Sequence, residues 1–136
     1  MAAAPHLIHF KQFGSPAEGY ITTTQFASNI PFEVKRIFWV QDVPEKTIRG
    51  QHANKLTEEV LVALHGVIKV KTESKQGEQL FELDSPDLGL YIPSLCWTEL
   101  VFEQDATGLC LASTDFDESD YIRNYSVFKQ LLINQK

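Results

Sequence analysis

The sequence predicts an all-β fold, a small β-barrel or two-sheet jelly roll followed by one C-terminal α-helix. Three observations lead there. Short runs of β-branched and aromatic residues recur along most of the chain, separated by turn residues. Only the segment after Glu118 has apolar residues at helical spacing. The 136 residues suffice for one core, because a chain of this size buries roughly two-thirds of the surface its unfolded form exposes. No repeat, low-complexity tract or linker interrupts them, so residues 1–136 read as a single domain.

Leu7 to Phe13 and Tyr20 to Phe26 are the first two strand-like runs, with Gly14-Ser15-Pro16-Ala17-Glu18-Gly19 turning between them. Val34 to Val40 follows the corner at Asn29-Ile30-Pro31. Glu59 to Leu64 and Val67 to Thr72 flank His65-Gly66, which reads as a tight hairpin. Beyond Ser74-Lys75-Gln76-Gly77 come Gln79 to Leu83, Gly89 to Ile92, Trp97 to Phe102 and Leu109 to Ser113. From Glu118 to about Ile133, Tyr121, Ile122, Tyr125, Phe128, Leu131 and Leu132 repeat at helical intervals, with Asp115 and Asp117 as candidate caps. Strands of this kind leave edges that must be covered, and oligomerisation is one common cover.

Composition narrows the function. Lys and Arg number 12 against 18 Asp and Glu, a formal net charge of −6. That argues against nucleic-acid binding, which calls for a basic face, but leaves room for an anionic small molecule held by a few placed arginines. The longest uncharged apolar runs, such as Ile37 to Val40 and Val60 to Leu64, are too short to span a bilayer. The start, Met1-Ala2-Ala3-Ala4-Pro5-His6, lacks the form of a secretory signal. Cys96 and Cys110 lie in apolar strand sequence and are expected as buried free thiols of a cytoplasmic protein.

The chemistry-bearing stretch is Arg49-Gly50-Gln51-His52-Ala53-Asn54-Lys55-Leu56-Thr57-Glu58-Glu59, with Gly66 further on. Alternation along a strand puts residues 52 and 54 on one face, and the next strand brings Glu59 back beside them. This spacing resembles the first motif of the cupin superfamily, in which His-x-His is followed by a glutamate and then a glycine. Asn54 stands where the second histidine would be, and Pro93-Ser94-Leu95-Cys96-Trp97-Thr98-Glu99 offers no histidine where a later metal ligand would fall. An amide is a poor substitute for imidazole on a transition metal. No metal is expected.

A narrower resemblance runs through nearly the whole chain. Ile30-Pro31-Phe32-Glu33-Val34-Lys35-Arg36-Ile37-Phe38-Trp39, Arg49-Gly50-Gln51-His52-Ala53-Asn54-Lys55, Gly89-Leu90-Tyr91-Ile92 with Trp97 and Glu99, and Asp117-Glu118-Ser119-Asp120-Tyr121-Ile122-Arg123-Asn124-Tyr125 occur in order. Together they resemble the cupin-type (WxcM-like) dTDP-4-keto-6-deoxy-glucose 3,4-ketoisomerases of deoxysugar biosynthesis. The resemblance implies a cupin jelly-roll β-barrel with a C-terminal helix. It implies a reaction that moves the ketone of a dTDP-linked keto sugar from C4 to C3 through an enediol, with no cofactor. The family's two histidines do that work, and here they align with His52 and Asn54.

On that reading His52, Asn54 and Tyr91 are the candidate catalytic residues, because an imidazole titrates near neutrality and an amide can only hold an oxygen. Arg36 and Arg49 are candidates for the pyrophosphate, by charge-assisted hydrogen bonds. Tyr91 and Trp97 could line the sugar or base pocket or simply pack in the core. Glu59 is a candidate for orienting the His52 imidazole. Glu18 and Thr98 differ from the residues usual in the family beside the substrate and bear on the configuration at C4. The tail 117–125 reads as structural. The resemblance also implies a homodimer with exchanged N-terminal strands, for which residues 7–26 have the right strand–turn–strand form. The alternative kept open by Asn54 is a non-catalytic sugar-nucleotide-binding cupin.

Overall fold

The computed structural model describes residues 3–135. Met1 and Ala2, part of the N-terminal segment read above, and Lys136 lie outside the described residues. The strands are β1 (His6–His9), β2 (Lys11–Ser15), β3 (Gly19–Thr23), β4 (Arg36–Val40), β5 (Ile48–Asn54), β6 (Glu59–Ser74), β7 (Gly77–Leu83), β8 (Leu88–Ile92), β9 (Trp97–Ala112) and β10 (Tyr121–Ile122), and the helix is α1 (Tyr125–Asn134). The all-β expectation with one C-terminal helix is met. No helix among the described residues is long and apolar enough to cross a membrane.

Two strands organise the molecule. β6 and β9 each run for 16 residues and pair antiparallel from Glu59↔Ala112 to Glu73↔Trp97. One half of this ribbon is flanked by β8 with β1 beside it and by β4, and the other half by β7 and by β5 with β10 beside it. The result is two sheets built on shared strands. The ladder stays open, with β1 and β10 at the ends of its path. A closed barrel is therefore not formed by backbone pairing.

His65-Gly66 is not the hairpin that its sequence suggests. β6 continues through it, with register shifts between Ala63 and His65 and between His65 and Val67. Gly66 has φ +71°, and a Cβ there would lie 2.6 Å from Cα of Ala106, so glycine serves the close approach of two bent strands. Opposite it, Gln104 and Asp105 also take positive φ. Trp97 to Phe102 and Leu109 to Ala112 accordingly belong to one bent strand, and Ser113 lies just beyond its end.

The first run divides at Phe10, whose ring is buried and whose N–H donates to the carbonyl of Asp87 at 2.8 Å. β1 joins β8, whereas β2 and β3 pair only with each other. The expected long helix also divides. Asp117 caps a single 3₁₀ turn at Glu118–Asp120, Tyr121 and Ile122 pair with Asn54 and Ala53, and α1 starts only after Asn124. The Asn124 side chain accepts from the N–H of Val127 at 3.0 Å and is the true cap of α1.

Alternation along β6 assigns its faces. Leu61 and Ala63 point between the sheets with Leu90, Ile92, Phe102 and Cys110, and Val60 and Val62 point to a second cluster with Phe10, Ile30, Phe32, Tyr91 and Leu111. A third cluster seats Phe128 of α1 on Ala53, Trp97 and Ile122. Both cysteines are buried and free, as expected.

Candidate functional site

A cavity of about 440 Å³ opens between the sheets. Its floor is apolar, made by Phe38, Leu61, Ile92, Leu100, Phe102 and Cys110. Its polar members include Arg49 and His52 from β5, Thr98 from β9, Tyr121 and Arg123 from the tail, and Glu59 at the start of β6, and of these Arg49 and Arg123 are exposed at the mouth. This is the form of a small-molecule site, apolar walls with a few convergent polar groups.

His52 owes its position to an irregularity in β5. The register shifts between Gly50 and His52, with Gly50 at φ +79° and Gln51 at φ +56°. A Cβ on Gly50 would lie 2.7 Å from Cδ1 of Leu100 and 2.9 Å from the carbonyl oxygen of Thr98, so only glycine fits. The shift lets Nδ1 of His52 donate to the Gly50 carbonyl at 3.1 Å. A carbonyl can only accept, so Nδ1 carries the hydrogen and Nε2 keeps its lone pair. Burial holds the imidazole pKa below its ordinary 6.5, assisted by the positive charges of Arg123 and Arg49 and opposed by the Gly50 hydrogen bond and Glu118. The ring meets Tyr121 edge-on at 5.0 Å. His52 is thus a neutral base at neutral pH.

The other expected site residues divide. Arg49, Glu59 and Thr98 line the cavity with His52. Glu59 does not orient the imidazole, which is held by the Gly50 carbonyl instead. Glu59 is buried, and that burial lifts its pKa to about 7 against the pull of the Cys110 thiol and Arg36. Arg36 stands behind the wall, its guanidinium 5.3 Å from the centre of the Phe38 ring and 5.5 Å from that of Phe116, with a buried Nε that has no hydrogen-bond partner among the described residues.

Four residues lie elsewhere. Tyr91 alternates with Ile92 on β8, so Ile92 faces the cavity while Tyr91 packs on His6 and Phe32 and donates its hydroxyl to Glu58 at 2.5 Å. Burial, with Glu58 beside it, pushes the Tyr91 phenol well above its usual range. Asn54 shares the strand face of His52, as alternation requires, but β5 ends there under the tail. Its amide donates to Asp120 at 3.1 Å, and it is not part of the cavity wall. Trp97 donates its indole N–H to Glu99 at 3.3 Å and packs on Tyr125 and Phe128 beneath α1. Glu18 is exposed in the β2–β3 turn, where its N–H donates to Ser15.

The tail contributes more than structure. Asp120 accepts from the N–H groups of Leu56 and Thr57, the Thr57 hydroxyl and the Asn54 amide, which fixes the tail over the end of β5. Tyr121 and Arg123 are thereby set at the mouth of the cavity. Arg123 forms a two-pronged ion pair with Glu118, at 2.9 and 3.2 Å, and its guanidinium lies 4.7 Å from the centre of the Tyr121 ring. These two wall residues escape sequence reasoning because helical spacing in the tail masks a two-residue strand. Among the described residues no group of three or more His, Cys, Asp or Glu is arranged to hold a metal ion.

The chain matches the family described as "FdtA: WxcM-like, C-terminal" over residues 3–133. It is 37% identical over 127 residues to the TDP-4-oxo-6-deoxy-alpha-D-glucose-3,4-oxoisomerase of Aneurinibacillus thermoaerophilus, covering 93% of this chain and 91% of that protein. Among solved structures it resembles a double mutant of the 3,4-ketoisomerase QdtA of Thermoanaerobacterium thermosaccharolyticum in complex with TDP. That match has a TM-score of 0.89 and 34% identity, and covers 97% of this chain and 96% of the other. It also resembles the TDP-fucose-3,4-ketoisomerase WlaRA of Campylobacter jejuni, with a TM-score of 0.87, 32% identity and 96% of each chain covered.

Proposed function

This chain belongs to the WxcM-like family of FdtA, and from that premise we propose that it is a 3,4-ketoisomerase acting on a TDP-linked 4-keto-6-deoxyhexose. It is an isomerase that moves the ketone from C4 to C3. The observation that carries the reading is His52: a half-buried imidazole in the cavity wall, its Nδ1 engaged by Gly50, its Nε2 free to take a proton. The C4 ketone acidifies the C–H at C3. His52 removes that proton, the enediol forms, and reprotonation at C4 completes the transfer. No step calls for an oxidant or reductant, since the sugar's oxidation level is unchanged.

Arg49 at the mouth is assigned to the diphosphate, where its guanidinium can form charge-assisted hydrogen bonds. Arg123 stands at the same rim. Arg36 acts from behind the wall through its positive charge. Thr98, paired in register with His52, is the residue nearest in sequence logic to the control of C4 configuration. The binding-only alternative drew its support from Asn54. The Asn54 amide is engaged by Asp120 outside the cavity wall, and the enzymatic reading draws its support from the relatives named as 3,4-ketoisomerases.

The protein is proposed to work as a homodimer. β2 and β3 form an isolated ribbon exposing Phe13, Tyr20 and Ile21, and a lone two-stranded ribbon is marginal in water. Seated on a second copy, it would cover these side chains and carry Glu18 away from its own chain. Sedimentation at micromolar concentration should show a dimer; monomer alone would refute the exchange. The activity itself is tested by incubation with TDP-4-keto-6-deoxyglucose and proton NMR of the sugar. Transfer of the ketone to C3 is expected, and TDP binding without any turnover would leave the binding-only reading.

A further inference from the structure

The expected acid–base set loses two members in the folded chain, since Asn54 and Tyr91 lie outside the cavity wall. One carboxyl group remains inside it. On β6 the residues facing between the sheets are Glu59, Leu61 and Ala63, so a carboxyl occupies the first place in an otherwise apolar row. It is 8% exposed, and no cation lies within ion-pair distance of it among the described residues. Burying an ionised carboxyl without a cation is costly, so such a group keeps its proton, and one held so in a cavity wall is a candidate for function.

We propose that Glu59 is the second proton-transfer group of this site, partner to His52. The inference rests on the ketoisomerase reading above. As Nε2 of His52 takes the proton from C3, the C3–H electron pair becomes the C3=C4 bond. The carbonyl π pair on the C4 oxygen then takes the proton of the Glu59 carboxyl. The enediol now faces an imidazolium and a carboxylate. The imidazolium returns its proton to C4, the double bond supplying the electron pair, while the Glu59 carboxylate receives the proton of the C3 hydroxyl as the C3 ketone forms. Both side chains finish as they began, and no atom or electron is left over.

The surroundings of Glu59 suit this duty. The Cys110 thiol on β9 and the charge of Arg36 on β4 favour its ionised form, while burial and Asp120 in the tail favour the acid, and burial dominates. A carboxyl that stays protonated to about pH 7 can give a proton to a ketone oxygen and take it back. Cys110 is no rival, because burial and the adjacent Glu59 push its thiol far above neutrality. His52, facing Arg123, Glu118 and Arg49, titrates lower and is ready as base. Activity should therefore peak between the two groups, with an acidic limb from His52 and an alkaline limb near pH 7 from Glu59.

The test uses the full chain with TDP-4-keto-6-deoxyglucose in deuterated water. E59Q keeps the size and a hydrogen-bond donor but cannot exchange a proton. Isomerisation in E59Q should fall about 100-fold or more with KM changed less than about threefold. Deuterium entry at C3, which His52 alone can sustain, should fall less, so the ratio of exchange to isomerisation rises at least about tenfold. A merely structural role would lower both together, and an unchanged ratio or near-normal turnover would overturn the proposal. Wild-type kcat provides the check that needs no variant: it should decline above about pH 7, and a flat profile from about pH 6 to 9 overturns the proposal. A wild type with neither exchange nor isomerisation would sink the ketoisomerase reading and Glu59 with it, whereas an active wild type matched by E59Q sinks Glu59 alone.

Discussion

Nδ1 of His52 lies 3.1 Å from the carbonyl oxygen of Gly50, two residues back on its own strand. The backbone, rather than a carboxylate, therefore sets the tautomer of the one histidine in the cavity wall. His52→Asn should abolish deuterium entry at C3 of the keto sugar and lower turnover by about 10²–10⁴-fold. Affinity for TDP should be nearly unchanged if the diphosphate is held by Arg49 as proposed, away from the imidazole. Proton NMR and calorimetric titration measure the two, and full exchange by the variant would remove His52 as the base.

Gly50 should tolerate no side chain. Its φ is +79°, and an added methyl group would lie 2.7 Å from Cδ1 of Leu100 and 2.9 Å from the Thr98 carbonyl, so Gly50→Ala combines backbone strain with a clash. We expect a loss of about 1–3 kcal/mol in unfolding free energy and a larger loss of kcat than of TDP affinity. A thermal melt equal to wild type would show that the shift in β5 is not strained.

Nucleotide affinity should depend more on Arg49 than on Arg36. Arg49→Ala should weaken TDP binding by about 1.5–3 kcal/mol, the worth of hydrogen bonds to a charged group. Arg36→Ala should cost less affinity, since its guanidinium lies against Phe38 and Phe116 and not in the cavity wall. Equal effects on titration would mean that the diphosphate reaches past Phe38.

Asp120 holds four donors, so Asp120→Ala should cost about 2–4 kcal/mol by leaving the Asn54 amide and Thr57 unsatisfied. Its hydrogen bonds, against the opposing effect of partial burial, keep the carboxyl below its ordinary 3.8. The stabilisation is thus complete above about pH 4 and fades as pH falls through the folded-state value. Asp120→Asn should flatten that acid-side decline in chemical denaturation; an identical decline would place its origin in other carboxylates.

Glu59 has the opposite sign. The unfolded chain releases this proton near 4.5, whereas the folded chain keeps it to about 7. Stability therefore falls as pH rises between those values, and the cost is full above the upper one. Glu59→Gln should equal wild type near pH 4 and exceed it at pH 8 by up to about 3 kcal/mol. Denaturation at the two pH values decides it, and a variant weaker at pH 8 would show that the ionised carboxyl is paired.

Alternation and turn chemistry make most strands legible in the sequence, and the order of motifs makes the family legible. What escapes is where a chain bends without turning. His65-Gly66 carries a hairpin signal, yet strand pairing with β9 persists across it because both strands kink together. The same limit applies to the site. Period two puts Asn54 on the face of His52, but only the fold shows Asp120, 66 residues later, taking up its amide. Tyr91 and Ile92 are both apolar enough to face inward, and their strand parity is set by β8 pairing with β6. Arg123 is hidden inside a helical pattern that tertiary pairing interrupts at Tyr121.

Each of β6 and β9 belongs to both sheets, so the two walls of the cavity are single lengths of backbone bent at Gly66 and at Gln104–Asp105. Walls made this way have no hinge between them and do not part like jaws. The part of the rim not built from those two strands includes the short tail across the mouth, where one 3₁₀ turn and a two-residue strand are held by Asp120 and the Glu118–Arg123 pair. An anionic ligand arriving there meets Arg123 already occupied by Glu118 and must compete for it.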